Sequence, residues 1–583
     1  MSSNLLKSKY NLEVLLVGLT FVLGTAMLWW VSSLGLTRAL TDQNAHLNAA
    51  KLAFDSMTPG ISQIGFWPPL LHILMMPFTL FNSLYQSGTA GAFVLIPALA
   101  LASVFLYRLA LLYTNDKFLS FVAALLLITN PYVLYYSVTP MMEILFIANL
   151  FGVAYFLALW LKEDKLVYLL VSGIFISLAS LSRFEGLILI PLVGFIVLIQ
   201  LVKKKKGYSE IEAVMLLFSI LAIIGAVGIM IYSWIFSHNP FTFTGGSWLR
   251  NPPEATYLTK HDMLASFKYM LYASFYMLSK PLVYLSLVSF GVFALLSGKK
   301  FNSVAVLAVL FSPFVFIATT LFSGTGSIAV ADLPPYDFFS NERYSLTWVG
   351  FVILTPILLI SLITYYFTRS DKKWSWYTGY MLRNTMAFAL VLVAGFQLYR
   401  VSYADQFSVI RRNINSPLPS QVQVINYLLK NYDYGKILIT RADNDPILAQ
   451  SNVPLKEYIY EGNYIYFDQT KDEPWLFARY VIMHNPEDND AWSVANEVIM
   501  RKWGENGQFK QYYDLVLENS QRRVYKINDA KVRAMALRQH LDVSQIPSIN
   551  RNIAWWDPTD IYAKIDNTNH VGAGGVSLDV KKK

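Results

Sequence analysis

Apolar runs of about 20 residues, each bounded by a few charged or turn-forming positions, recur from about Leu12 to Leu398, where the pattern stops. Wound as a helix, a run of that length crosses a hydrocarbon core of roughly 30 Å. The pattern predicts about 11 transmembrane helices, near residues 12–34, 89–111, 118–137, 143–161, 165–182, 187–202, 211–235, 281–297, 302–322, 345–366 and 379–399. A further apolar segment, 67–85, carries Pro68, Pro69 and Pro77 and is predicted to dip into the membrane and return. The predicted fold is therefore a polytopic α-helical membrane domain over 1–400, with outer loops 35–66, 236–280 and 323–344. From Val401 the chain turns polar and mixed in charge, which predicts a soluble α/β domain over 401–583. Within it we expect a helix over 421–429, strands over 436–440, 479–484 and 513–517, an amphipathic helix over 531–540 and a flexible tail.

Composition sharpens this picture. The chain is 55% hydrophobic and 15% charged, against about 25% charge in soluble proteins, which excludes an ordinary soluble enzyme. With 0 cysteines, disulfides, zinc–thiolate sites, Fe–S clusters and a thiol nucleophile are excluded. The net charge of +9 reflects lysines and arginines beside the spans and not a nucleic-acid surface. Lys7/Lys9, Arg108/Lys117, Lys162/Lys165, 203–206, Lys299/Lys300 and Arg369/Lys372/Lys373 all fall on one side of the predicted spans. The positive-inside rule makes that side cytoplasmic. The N-terminus is then cytoplasmic, the 401–583 domain extracytoplasmic, and the protein a multi-pass protein of the plasma (cell) membrane.

Charged residues at the outer ends of spans carry the functional information, because placing charge beside lipid is costly unless ion pairing or chemistry compensates. Asp42 and His46 lie one turn apart on a predicted helix after the first span; Asp42 is a candidate helix cap, and His46 a packing or orienting residue. Trp67 and His72 flank Pro68-Pro69, where Trp67 reads as an interfacial anchor. Glu143 stands alone at the start of a span, placed either to complement the helix dipole or to snorkel to water. Arg183 with Glu185, and Arg343-Tyr344, mark two further outer boundaries; either arginine can pair with a neighbouring glutamate or meet lipid headgroups. Taken together, the arginines suit a phosphate and a carboxylate suits a hydroxyl proton.

Over its first 350 residues or so the chain resembles the GT-C glycosyltransferases, in particular the group of protein O-mannosyltransferases and lipid A aminoarabinose transferases. The resemblance rests on an acid in the first outer loop (Asp42), a following Pro68-Pro69-Leu70, a basic loop (Arg108 to Lys117) followed by a segment ending in a carboxylate (Glu143), and Arg343-Tyr344 before a late span. Two positions differ: Gln43 stands where a second acid is common, and Phe66-Trp67 where the aminoarabinose transferases have Glu-Lys. The resemblance implies inverting transfer of a sugar from a polyprenyl-phosphate donor to a protein, glycan or lipid acceptor outside the cell, among membrane lipids and without a nucleotide cofactor. In that scheme Asp42 is the general base. Arg183, Arg343 and Tyr344 bind the donor phosphate, Glu143 positions sugar or acceptor hydroxyls, and His46, Trp67, His72 and Glu185 support the site. A divalent cation (Mg2+ or Mn2+) would sit on Asp42 and His46. The competing readings are a transporter or lipid flippase, which needs ionisable groups near span centres, and a noncatalytic scaffold with an outward binding domain.

Overall fold

The computed structural model describes residues 2–65, 67–237, 239–241, 258–296, 301–331, 333–334, 338–369, 373–402, 410, 416–441, 443–463, 465–486, 495–551, 570–572 and 576–578. Apart from the last two short pieces, the expected tail lies outside them.

The membrane part is helical. The helices are α1 (Ser2–Ser33), α2 (Thr41–Leu52), α3 (Leu70–Thr79), α4 (Asn82–Ser87), α5 (Ala92–Thr114), α6 (Lys117–Ile128), α7 (Pro131–Val138) and α8 (Glu143–Glu163). They continue as α9 (Leu166–Ser182), α10 (Leu189–Lys203), α11 (Tyr208–Ser237), α12 (Met263–Leu278), α13 (Lys280–Leu296), α14 (Phe301–Ser323), α15 (Val349–Thr368) and α16 (Lys373–Ser402). Eight helices among the described residues are long and apolar enough to cross a membrane, or up to 10 if two bent pairs each count once. The pairs are α6 with α7, bent by 60°, and α12 with α13, bent by 118°.

The expected count of about 11 includes α9, whose 17 residues give about 26 Å, slightly less than the core thickness. Yet Arg183, just past the end of α9, bonds to Glu143 at the start of α8, so α9 runs back along the whole of α8. The loop expected over 236–280 is partly the helix α12, whose buried face (Tyr269, Met270, Ala273, Met277) packs into the bundle. The segment 67–85 behaves as a return: α3 has 10 residues, about 15 Å, too short to cross. At the end of α4, Ser87 O accepts a 2.7 Å bond from Thr37 Oγ1 in the 3-10 turn Leu36–Arg38 just past α1, which brings the chain back to the end it left.

The two ends of the bundle differ chemically. At one, the ends of α5, α8 and α10 meet the start of α14: Lys204 pairs with Asp164 at 2.6 Å and Asn302 Nδ2 donates to Leu161 O at 3.1 Å. Arg108, bonded to Glu13, and Arg383, bonded to Asp116, lie toward that end too. The opposite end holds Asp42, Glu143, Arg183 and Arg343.

Past the bundle come α17 (Pro419–Asn431), β1 (Lys436–Ile439), α18 (Asp445–Gln450), β2 (Tyr458–Ile459), β3 (Ala478–His484), α19 (Ala495–Glu505), β4 (Tyr513–Glu518), β5 (Arg522–Ile527) and α20 (Asp529–Arg538). The sheet order is β2-β1-β3-β5-β4, with β1 parallel to both β2 and β3 and the other pairs antiparallel. The two strands of this sheet that the alternation did not reveal are β2, only 2 residues long, and β5, whose charged Arg522, Arg523 and Lys526 mask its buried Val524 and Ile527. One face of this sheet buries a core of the domain's own, with Leu438, Phe467, Trp475, Val481, Met483 and Phe509, whereas the other face shares its core. Leu47 and Leu52 of α2, Met75 of α3 and Tyr85 of α4 share one buried cluster with Val424, Ile437, Ile447, Tyr458 and Tyr480.

Candidate active site

Each site residue sits where a helix begins or ends, which is where backbone direction changes and polar groups can gather. Asp42 lies in the first turn of α2, Glu143 opens α8, Arg183 follows α9 and Arg343 precedes α15. Arg343 joins three of these elements: its Nη2 bonds to Asp42 Oδ2 and its Nε donates to Glu143 Oε1 at 3.1 Å. Arg183 donates from Nη1 to the same Glu143 oxygen at 2.7 Å and from Nε to Glu185 Oε1 at 2.8 Å. Both guanidinium groups lie over the Tyr344 ring, at 4.8 and 5.1 Å from its centre. The four candidates therefore form one connected network.

They line a cavity of about 530 Å³, whose other walls include His46, Trp67, Met141, Phe184, Phe316 and Asn341. The Asp42 side chain is 32% exposed, whereas that of Glu143 is 0% exposed. Only the first is open to a second substrate. Glu143 Oε2 is buried with no hydrogen-bond partner among the described residues, and none is found there for Arg183 Nη2 or Arg343 Nη1. Among the described residues the two arginines thus keep unspent donors beside one aromatic ring.

Several expectations need correction. Asp42 does not cap α2: Gln43 does, its Oε1 accepting from Leu40 N–H at 3.0 Å while its Nε2 donates to Tyr135 Oη at 3.0 Å. Glu143 does not snorkel, because two guanidiniums balance its charge inside the protein. Trp67 is no interfacial anchor; its ring meets His46 edge-on at 4.7 Å on the cavity wall. His46 does not orient Asp42 through Nδ1, since that atom bonds His72 Nε2 at 2.9 Å. The Pro68 carbonyl can only accept, so His72 Nδ1 donates to it (3.2 Å), its Nε2 accepts, and His46 Nδ1 carries the proton between the rings. Burial, then the charges of Arg343 and Arg183, push His46 down to about 3, so the ring is neutral at working pH.

Nor does the donor set suit a divalent cation. Among the described residues no three His, Asp or Glu side chains come together as metal ligands. Asp42, Glu143 and Glu185 each face an arginine, whose fixed positive charge would repel the ion. Gln43 and Tyr135 were not singled out as site residues. The absence of a second acid beside Asp42 was one available signal for Gln43, and its place three residues past Leu40, the spacing of a capping box, was another.

The family described as dolichyl-phosphate-mannose-protein mannosyltransferase matches residues 68–224. Among solved structures, ArnT from Cupriavidus metallidurans bound to undecaprenyl phosphate is similar with a TM-score of 0.55 and 11% identity, covering 88% of this chain and 97% of that one. The apo state of the same protein aligns at 0.52 and 9% identity, over 87% and 97%. The archaeal oligosaccharyltransferase AglB from Archaeoglobus fulgidus, in complex with an inhibitory peptide and a dolichol-phosphate, aligns at 0.44 and 14% identity, over 87% and 74%. No curated protein sequence matches this chain. At these identities the likeness to ArnT is one of fold, and it is the GT-C fold.

Proposed function

We propose that this chain, a multi-pass membrane protein with the GT-C fold, is a glycosyltransferase moving a sugar from a polyprenyl-phosphate carrier to an acceptor hydroxyl on the extracytoplasmic side. The observation that carries the reading is the single network of Asp42, Glu143, Arg183 and Arg343 around one cavity at the end of the bundle opposite its lysine-rich loops. The description of the matching family and the undecaprenyl phosphate bound to ArnT agree with it. Under the positive-inside rule the site faces outward. A carrier whose chain stays in the bilayer is best met at that boundary.

The chemistry needs few groups. The acceptor oxygen attacks the anomeric carbon, the bond from that carbon to the phosphate oxygen breaks, and the phosphate leaves with the bonding electrons. A single displacement inverts the centre. The unspent donors of Arg183 and Arg343 stabilise the charge on the departing phosphate. Phosphate also competes with Asp42 for Arg343, which loosens the carboxylate and leaves it free to take the acceptor proton. Glu143 holds both guanidiniums in place from beneath. The Asp42→Asn variant, purified and assayed for transfer from a polyprenyl-phosphate sugar, should lose about 100- to 10,000-fold in turnover while still binding undecaprenyl phosphate. Wild-type turnover would remove Asp42 as the base.

A further inference from the structure

The helix that carries Asp42 has two polar faces. Asp42 and His46 share the one toward the cavity; Asn44 and Asn48, two residues further round and again one turn apart, occupy the other. Residues 43–52 of α2 are all buried, so each face must meet polar partners. The second face finds them in the soluble domain. Asn48 Nδ2 donates to Asp445 O at 2.9 Å and to Asp445 Oδ1 at 2.6 Å, while its Oδ1 accepts from Tyr85 Oη at 2.5 Å. Asn44 Nδ2 donates to Ser416 Oγ at 2.7 Å. Arg441 donates to Asp445 Oδ1 at 3.0 Å from Nε, to Gln63 O at 3.3 Å from Nη1 and to Ala45 O at 3.3 Å from Nη2.

A buried ion pair is costly unless its remaining groups are bonded. Here the donors left over on Arg441 are spent on the backbone of α2 and on the loop after it, and Asp445 Oδ1 takes a second bond from Asn48. Apolar packing would hold the two parts together without fixing the rotation of α2, whereas these directional bonds set which way Asp42 points. We propose that the soluble domain is a working part of the reaction centre, and that Arg441 and Asp445 are positioning residues that hold the Asp42 helix in register with Arg343 and Glu143. This rests on the glycosyltransferase reading for its kinetic consequence, though not for its structural one. The phosphate-binding arginines are carried by the bundle, so the domain acts on turnover and leaves donor affinity alone.

The test compares full-length Asp445→Ala, Asp445→Asn and Asn48→Ala with wild type. Asn48→Ala cuts the same link without stranding a buried charge, and so covers the case in which Asp445→Ala does not fold. The alanine variants should lose about 100-fold in kcat, keep KM for the polyprenyl-phosphate sugar and Kd for undecaprenyl phosphate within about threefold, and exchange α2 amide hydrogens at least about tenfold faster. Asp445→Asn keeps an acceptor oxygen for Asn48 and should recover most of the turnover. A folded alanine variant with a lower Tm but wild-type kcat and wild-type α2 exchange would overturn the proposal, leaving only a docking contact. If instead Asp42→Asn is as active as wild type, the parent reading fails, and the exchange of α2 still decides whether the domain holds that helix.

Discussion

Arg343 is the residue on which the site converges, since among the described residues it alone touches Asp42, Glu143 and the Tyr344 ring. That geometry needs a planar fork, which a lysine cannot imitate. Arg343→Lys should therefore keep the charge and lose the bridge, with kcat/KM for the lipid donor falling about 10- to 100-fold, the worth of one charge-assisted hydrogen bond; steady-state kinetics on the purified variant checks this. Asp42, Glu143, Arg183 and Arg343 were legible in the sequence because a charge at the edge of an apolar run stands out. The His46–His72 pair was not. It depends on which ring lies opposite, and two residues 26 positions apart carry no pattern that says so.

Among the elements, the short 3-10 turn over Phe184–Ile188 sets where Arg183 and Glu185 lie. It folds back so closely on α9 that a Cβ at Gly186 would come within 2.3 Å of Ser180 N and 2.4 Å of Ala179 C. Backbone cannot yield as a side chain can. Gly186→Ala should push the turn away from α9, cost about 1–3 kcal/mol of stability as an overpacking change, and weaken transfer by displacing Arg183; thermal unfolding in detergent and a transfer assay read the two effects. Apolar run length predicted most of the spans well, because lipid demands it of any helix that crosses. It could not tell the bend between α12 and α13 from a loop followed by a span, since run length does not register a break as short as the one at Ser279, where φ is 71° and Pro281 follows.

The whole molecule is less divided than its composition suggests. The boundary near residue 400 is real for the chain and for hydropathy, but α2, α3 and α4 share a core with one face of the C-terminal sheet. Glu461 lies in that shared region: Arg441 N–H donates to its Oε2 at 2.8 Å, and its Oε1 is buried without a partner among the described residues. Burial, with the charge of Glu497 adding to it, holds this carboxyl up at about 7 from an ordinary 4.5. Between those values the folded chain keeps a proton that the unfolded chain releases. The contribution to stability is thus fully present below about pH 4.5 and is lost as pH rises through about 7. Glu461→Gln cannot ionise and should melt higher than wild type at pH 8, by at most about 3 kcal/mol, with the difference vanishing near pH 4.5; melting curves across pH check the sign.

Lipid and water impose opposite demands, and a linear sequence records which demand each stretch meets. The chain alone therefore determined that it crosses a membrane many times, that a soluble α/β domain follows, and which charges sit at the ends of spans. Tertiary structure decided which of those charges meet, and that the soluble domain grips the back of α2. These are contacts between residues as far apart as Asp42 and Arg343, or Asn48 and Asp445. Pairings over such separations follow from how helices pack, and local pattern holds no trace of them.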